Sequence, residues 1–182
     1  MEMRQSRQPG AWLTTLGLCV AMEVILARFL SLHTWNLKIG FSFLPVVAAA
    51  YWGGPLAGGL TGLLGDLIGA LLFPVGTYFP GFTLTAFLDG AVYGLFFRKR
   101  TGLKEILGAV VTVQLGLSLV LNTFWLSLLY QVPWRTLLWL RLFQCFGGLV
   151  VKVLVLRLAL PAMGKGLVRR FVWRPILFCV WL

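Results

Sequence analysis

Residues 53–73 read GGPLAGGLTGLLGDLIGALLF. The Gly53-Gly54-Pro55 triplet is a strong break signal. The run from Leu56 to Phe73 then holds a single ionisable residue, Asp66. Glycines at 58, 62, 65 and 69 recur at spacings of four, three and four. That spacing puts them on one face of an α-helix and makes a smooth stripe for close helix contact. An apolar run of this length, fenced by a turn and carrying a lane of glycines, reads as a membrane-spanning helix packed tightly on a neighbour.

The rest of the chain repeats the pattern. It has 182 residues, 59% of them hydrophobic and only 12% charged, with mean hydropathy +0.90. A soluble domain of this size cannot hide so much apolar surface. A membrane barrel needs apolar and polar residues alternating along strands, and that alternation is absent. The fold class is therefore an all-α membrane protein: one integral-membrane domain, 1–182, built as a compact bundle of six transmembrane helices. Their expected spans are about 12–31, 39–52, 56–73, 82–97, 103–129 and 136–160. No internal repeat is detectable, and the first apolar run has no small-residue cleavage site of the kind that marks a removable signal peptide.

Charge sets the expected orientation. The formal net charge is +11, but the positives fall in short clusters between apolar runs rather than on a nucleic-acid-binding face. Arg4 and Arg7 precede helix 1, Arg98, Lys99, Arg100 and Lys104 join helices 4 and 5, and Lys165, Arg169, Arg170 and Arg174 follow helix 6. With six helices all three clusters lie on one side, which the positive-inside rule makes cytoplasmic. Both termini are then cytoplasmic in a multi-pass protein of the cell membrane. Anionic lipid headgroups are the partners of most of these charges. The basic tail 161–182 is then cytoplasmic, and its apolar part 166–182, short and broken by Pro175, suits the interface.

Four positives break that pattern: Arg28, Lys38, Arg135 and Arg141 stand at or near the opposite ends of helices 1, 2 and 6. The stretch RFLSLHTWNLKIGFSF (28–43) sets two of them beside His33, Trp35 and Asn36. Snorkelling to headgroups is the plainer reading of each. As a set they read as a trap for a carboxylated solute, since the planar arginine fork matches a carboxylate.

Polar residues inside the spans point to the same end. Glu23, Asp66, Asp89, Asn122 and Gln144 each stand seven or eight residues in from a helix end, roughly 10–12 Å below the outer surface. Ionisable groups at that depth cost several kcal/mol and mark a site or a pair. Two uses remain open, a pocket floor or polar glue between helices. Arg141, Gln144, Gly148 and Lys152 share one face of helix 6, and Ser118, Asn122 and Trp125 share one face of helix 5. A cation, two amides and an indole thus converge below the outer surface, suited to a flat ring with a polar edge. Phe73, Tyr78, Phe79 and Phe82 border a Pro- and Gly-rich loop that either covers a pocket or sits in the interface. On helix 1, Gly17 and Ala21 form a small-xxx-small pair, for internal packing or for docking a partner protein.

No Walker A loop, HExxH, GxSxG or paired-cysteine motif is present, and no metal or cofactor is expected. Cys19, Cys145 and Cys179 fall far apart in apolar runs and read as small core residues. An integral-membrane enzyme acting on a lipid or quinone, with Glu23, Asp66 or Asp89 in acid–base roles, is the weaker alternative. A binder that borrows its power from partners fits better.

Three blocks carry a resemblance: TWNLKIGFSFLPV (34–46), GPLAGGLTGLLGDLIGALLFPVGTYFPGFTLTAFLDG (54–90) and LNTFWLSLLY (121–130). They closely resemble the folate-family S components, the substrate-binding subunits, of energy-coupling factor (ECF) transporters, an ABC importer class. The resemblance implies a membrane subunit that captures folate or a reduced folate from outside. It implies assembly with a transmembrane coupling protein and two cytoplasmic ATPases, which power delivery inward. It carries the substrate region onto Arg28, Trp35, Lys38, Phe73, Tyr78, Phe82, Thr83, Asn122, Trp125, Arg141 and Gln144. It also places the coupling-protein contact at Gly17 and Ala21, where the family has an alanine pair. The same architecture with another vitamin or pterin is the nearest alternative, and folate's two-carboxylate tail is what the outer cations favour.

Overall fold

A computed structural model describes residues 9–29, 32–34, 37–74, 78–97, 102–131 and 133–164. The described helices are α1 (Pro9–Arg28), α2 (Phe43–Gly53), α3 (Pro55–Leu72), α4 (Pro80–Phe97), α5 (Leu103–Tyr130) and α6 (Trp134–Gly164). Between α1 and α2 lies a short antiparallel hairpin, β1 (Leu32–Thr34) with β2 (Leu37–Ile39), in the register Leu32↔Ile39, His33↔Lys38 and Thr34↔Leu37. Helices α3, α5 and the Arg141–Pro161 part of α6 are long and apolar enough to cross a membrane. Many large apolar side chains face outward, among them Trp139, Phe143 and Leu158 on α6 and Leu56 and Leu71 on α3. Such a surface is stable only against lipid. The molecule is a helical membrane bundle, as its composition requires.

Several boundaries differ from the sequence reading for identifiable reasons. α1, α3 and α4 each begin on a proline (Pro9, Pro55, Pro80). A proline at the first helical position loses nothing, because its missing N–H would be unpaired there. The expected starts at 12, 56 and 82 were therefore late by one to three residues. Helix 2 was expected from 39, but residues 37–39 are a strand and α2 begins at Phe43. β-Branched Thr34 and Ile39 favour extended backbone there, and a two-stranded hairpin has open edges that lipid cannot satisfy, so it belongs at the rim. Pro161 does not end α6, which runs on to Gly164. The tail from 165 and the basic cluster 98–100 lie outside the described residues.

α3 is the hub, packed on α1, α2 and α4. Its glycine lane meets α4 backbone to backbone. A Cβ at Gly58 would strike the Gly90 carbonyl, and one at Gly62 the Ala86 carbonyl. Only glycine permits that approach. Gly54 turns the chain between α2 and α3 at φ +82°, a region side chains disfavour. The apolar core gathers Phe43, Val47 and Ala50 of α2, Tyr93 and Phe97 of α4, Ile106, Ala109, Val110 and Val113 of α5, and Leu156 and Leu160 of α6. It takes the second halves of α4 and α6 and the first half of α5. It therefore fills the end where α4 meets α5, leaving the opposite, hairpin end to polar side chains.

Candidate functional site

Two glycines of α3 receive the charged residues of α1. A Cβ at Gly65 would collide with the Glu23 carboxylate, and one at Gly69 would lie 2.8 Å from Arg28 Nε. Glu23 is buried, and Arg28 is partly buried at the last turn of α1. The lane read from the sequence as a packing stripe thus splits in use. Its first half seats α4, and its second half holds a carboxylate and a guanidinium.

Beside Gly65, Asp66 projects toward α4. The hydroxyl of Thr83 donates to Asp66 Oδ2 at 2.8 Å, and Tyr78 OH lies 3.2 Å from the same hydroxyl. A hydrogen-bonded chain therefore runs from a carboxylate inside the bundle to the α3–α4 connection. Thr83 is buried, whereas Tyr78 is exposed. Across from it, Trp125 of α5 lies against Gly81, where a Cβ would meet the indole at 2.5 Å. Its Nε1 donates to Thr85 Oγ1 at 3.2 Å, and the Thr85 hydroxyl donates on to the Gly81 carbonyl at 3.0 Å. Phe79 adds a ring 5.4 Å from Trp125 and 6.1 Å from Phe82. The indole is held by a hydrogen bond and by packing at once, which fixes its plane.

Among the described residues, the buried polar atoms at this end without a hydrogen-bond partner include Arg28 Nε, Asn122 Oδ1 and Arg141 Nε. Asn122 stands one turn before Trp125 on α5, and Arg141 NH1 donates to the Ser118 carbonyl at 3.2 Å. An unpaired acceptor and two unpaired donors off water are costly unless something else satisfies them. A ligand with polar edges is one such thing.

The five polar residues expected at one depth occupy two. Asp66 lies opposite Thr83, while Gly58 of α3 lies opposite Gly90 of α4. Asp89, six residues beyond Thr83, is therefore about 9 Å nearer the core end. Gln144 is also deeper than Asn122. Its neighbour Cys145 offers a carbonyl to Gln114 Nε2 at 3.4 Å, and Gln114 precedes Asn122 by two turns. Counting from helix ends failed because the helices differ in length and in where they meet. Glu23, Asp66, Thr83 and Asn122 form the outer tier with Trp125. Asp89, Gln144 and Gln114 lie below.

The remaining expectations are placed as follows. Phe73 is partly exposed and packs edge-on against Phe29 at 5.4 Å. Lys38 lies on β2, and Trp35 falls outside the described residues, as does the side chain of Lys38. Gly17 and Ala21 are exposed on α1, and nothing stands within 4 Å of a Cβ built at Gly17. Two participants were missed. Thr85 holds Trp125, and Gln114 accepts from Lys152 Nζ at 2.7 Å while that ammonium lies 5.6 Å over the Phe43 ring. A lone amide within the apolar run 103–121 was the available signal for Gln114. No group of three His, Cys, Asp or Glu among the described residues forms a metal site.

This chain is similar to known proteins over most of its length. A family profile described as ECF transporter, substrate-specific component, matches residues 12–160. The folate transporter FolT of Clostridium novyi (strain NT) is 40% identical over 115 residues, 63% of this chain and 67% of that protein. The FolT of Leuconostoc mesenteroides is 33% identical over 118 residues, 64% of this chain and 63% of that protein. Among solved structures, FolT bound with folic acid superposes at a TM-score of 0.76 with 33% identity, covering 80% of this chain and 89% of that one. The S component of a bacterial ECF transporter superposes at 0.62 with 23% identity, over 87% and 99% of the two chains, a likeness of fold alone.

Proposed function

Because this chain belongs to the ECF transporter substrate-specific components, we propose that it is a folate-binding subunit of such an importer. The observation that carries the reading is the likeness, at a TM-score of 0.76 and 33% identity, to FolT bound with folic acid. The polar geometry at the hairpin end supports it. Folate has a flat pterin with donors and acceptors along its edge, and a tail bearing two carboxylates. The outer tier supplies acceptors at Asp66 and Asn122, and an indole whose plane is fixed by Thr85. Arg28 and Arg141 supply partly buried cations and Arg135 an exposed one, and Lys38 of β2 completes the set. In this reading the pterin enters among Asp66, Asn122 and Trp125, and the tail stays with the cations. Phe73, Tyr78, Phe82 and Thr83 line the approach.

The termini are cytoplasmic in this proposal, and the hairpin end faces outward, since the basic clusters flank the core end. The protein has no ATPase of its own. It docks a transmembrane coupling protein, energised by two cytoplasmic ATPases, through the smooth exposed patch at Gly17 and Ala21. Glu23, Asp66 and Asp89 hold helices together rather than perform acid–base chemistry.

Calorimetric titration of the detergent-solubilised protein with folic acid tests the reading, with thiamine and riboflavin as controls. Saturable one-to-one binding of folic acid alone is the expected result. Folded protein that ignores folic acid, or prefers a control vitamin, overturns the substrate.

A further inference from the structure

The middle of α5 is not α-helical. Residues Thr112–Leu121 form a π-helix between α-helical ends Leu103–Val111 and Asn122–Tyr130. Ten residues is long for a conformation that occurs mostly as single-turn bulges, frequently at functional sites. At its exit the Asn122 N–H bonds to the Leu117 carbonyl, five residues back. In an α-helix that N–H would take the Ser118 carbonyl instead. Ser118 is the carbonyl to which Arg141 NH1 donates. The altered ladder thus releases a backbone acceptor inside the bundle, and a cation of α6 occupies it.

The second effect is rotational. Before and within the π segment, Val110, Val113 and Gln114 are buried, and Gln114 bonds to α6 at the Cys145 carbonyl and Lys152. After it, Trp125 must lie on Gly81 of α4 and reach Thr85. The same helix packs on both α4 and α6 below and above the segment, bonding to α6 at Gln114 and to α4 at Trp125. Each residue of an α-helix advances the side chains by about 100°, so the wider π turns decide which face arrives at position 122.

We propose that the π-helical segment Thr112–Leu121 is a phasing device that sets Asn122 and Trp125 toward the site and seats Arg141 on the Ser118 carbonyl. Its residues are positioning residues and need not touch ligand. The affinity part of this inference rests on the folate reading above, whereas the phasing itself does not.

Two variants test it. Deletion of Gly116, which is exposed and has only the Thr112 methyl, at 4.0 Å, within 4 Å of a built Cβ, removes one residue from the segment. Adding an alanine between Leu121 and Asn122 to that deletion restores the phase beyond. The geometric readout is oxidative cross-linking of Gly81→Cys with Trp125→Cys, in protein whose Cys19, Cys145 and Cys179 are replaced by alanine. The parent and the deletion-plus-insertion variant are expected to cross-link, and the deletion alone is not. Folic acid titration, done without the cysteine pair, should follow the same order, with the deletion losing at least about tenfold in affinity.

A deletion variant that cross-links and binds like the parent overturns the proposal. So does a deletion-plus-insertion variant that folds but fails to regain the cross-link. If the deletion alone misfolds, recovery of fold and cross-link in the compensated variant still supports phasing. A parent that cross-links as expected yet ignores folic acid refutes the substrate and leaves the phasing standing.

Discussion

At the scale of single residues, the site rests on buried hydroxyls and amides. Thr83 is the clearest case, because it joins Asp66 to Tyr78 and is itself buried. Thr83→Val keeps the shape but removes the donor to the Asp66 carboxylate. It is expected to cost about 1–3 kcal/mol of stability, read as a lowered Tm in detergent, while Thr83→Ser stays near the parent. The cations make a sharper test. If Arg28 or Arg141 pairs with a carboxylate of the ligand off water, removing either should cost about 2–5 kcal/mol of binding. Titration of Arg28→Ala and Arg141→Ala with folic acid measures this, and unchanged affinity in both would refute the basic trap. Much of this was legible beforehand, because a polar residue in an apolar run stands out whatever its partner. Glu23, Asp66, Asn122 and Arg141 were visible in that way. The seats of Glu23 and Arg141 were not, since Gly65 and the Ser118 carbonyl are ordinary until the helices meet. The common depth of the polar groups was wrong for Asp89 for the same reason: inter-helix register is a property of packing.

At the scale of elements, each described helix is legible in the sequence, whereas several of their starting residues are not. In the sequence a proline reads as part of a loop, yet Pro55 and Pro80 open α3 and α4. The hairpin and the π-helix were not anticipated. The hairpin's six paired residues are too few to show alternation above their neighbours, and a π-helix differs from an α-helix in bonding rather than in residue type. The glycine lane was read correctly as a seam, and it yields a paired prediction. Gly62→Ala puts a methyl against the backbone carbonyl of Ala86, which cannot step aside, and should destabilise by about 1–3 kcal/mol. Gly147→Ala meets nothing within 4 Å and should instead stabilise α6 by about 0.5–1 kcal/mol. Thermal unfolding of the two variants, followed by size-exclusion chromatography after heating, should show shifts of opposite sign. Equal shifts would mean that the α3–α4 approach is looser than the structure has it.

At the scale of the whole molecule, composition settled the environment, and a family resemblance in three blocks anticipated the fold; the helical membrane bundle agrees with both. Function at this scale depends on what α1 presents. Gly17 is exposed with open space above it, so Gly17→Leu should leave folic acid affinity of the isolated subunit within about twofold, since the position lies away from the site. The same variant should lose ATP-driven uptake when reconstituted with a coupling protein and its ATPases. Uptake at the parental rate would remove this patch from the docking surface. The molecule is also lopsided in construction. α3 and α4 touch through main-chain atoms, whereas α6 turns Trp139, Phe143, Phe146, Val150, Leu154 and Leu158 largely outward. Related sequences should therefore drift at two speeds. Along the α3–α4 line a single added carbon has nowhere to go, and a saturation library scored for surviving protein should come back nearly blank at 58, 62 and 90. On the outer stripe of α6 any greasy residue will serve, and lineages are free to exchange one for another without anything else in the molecule having to change.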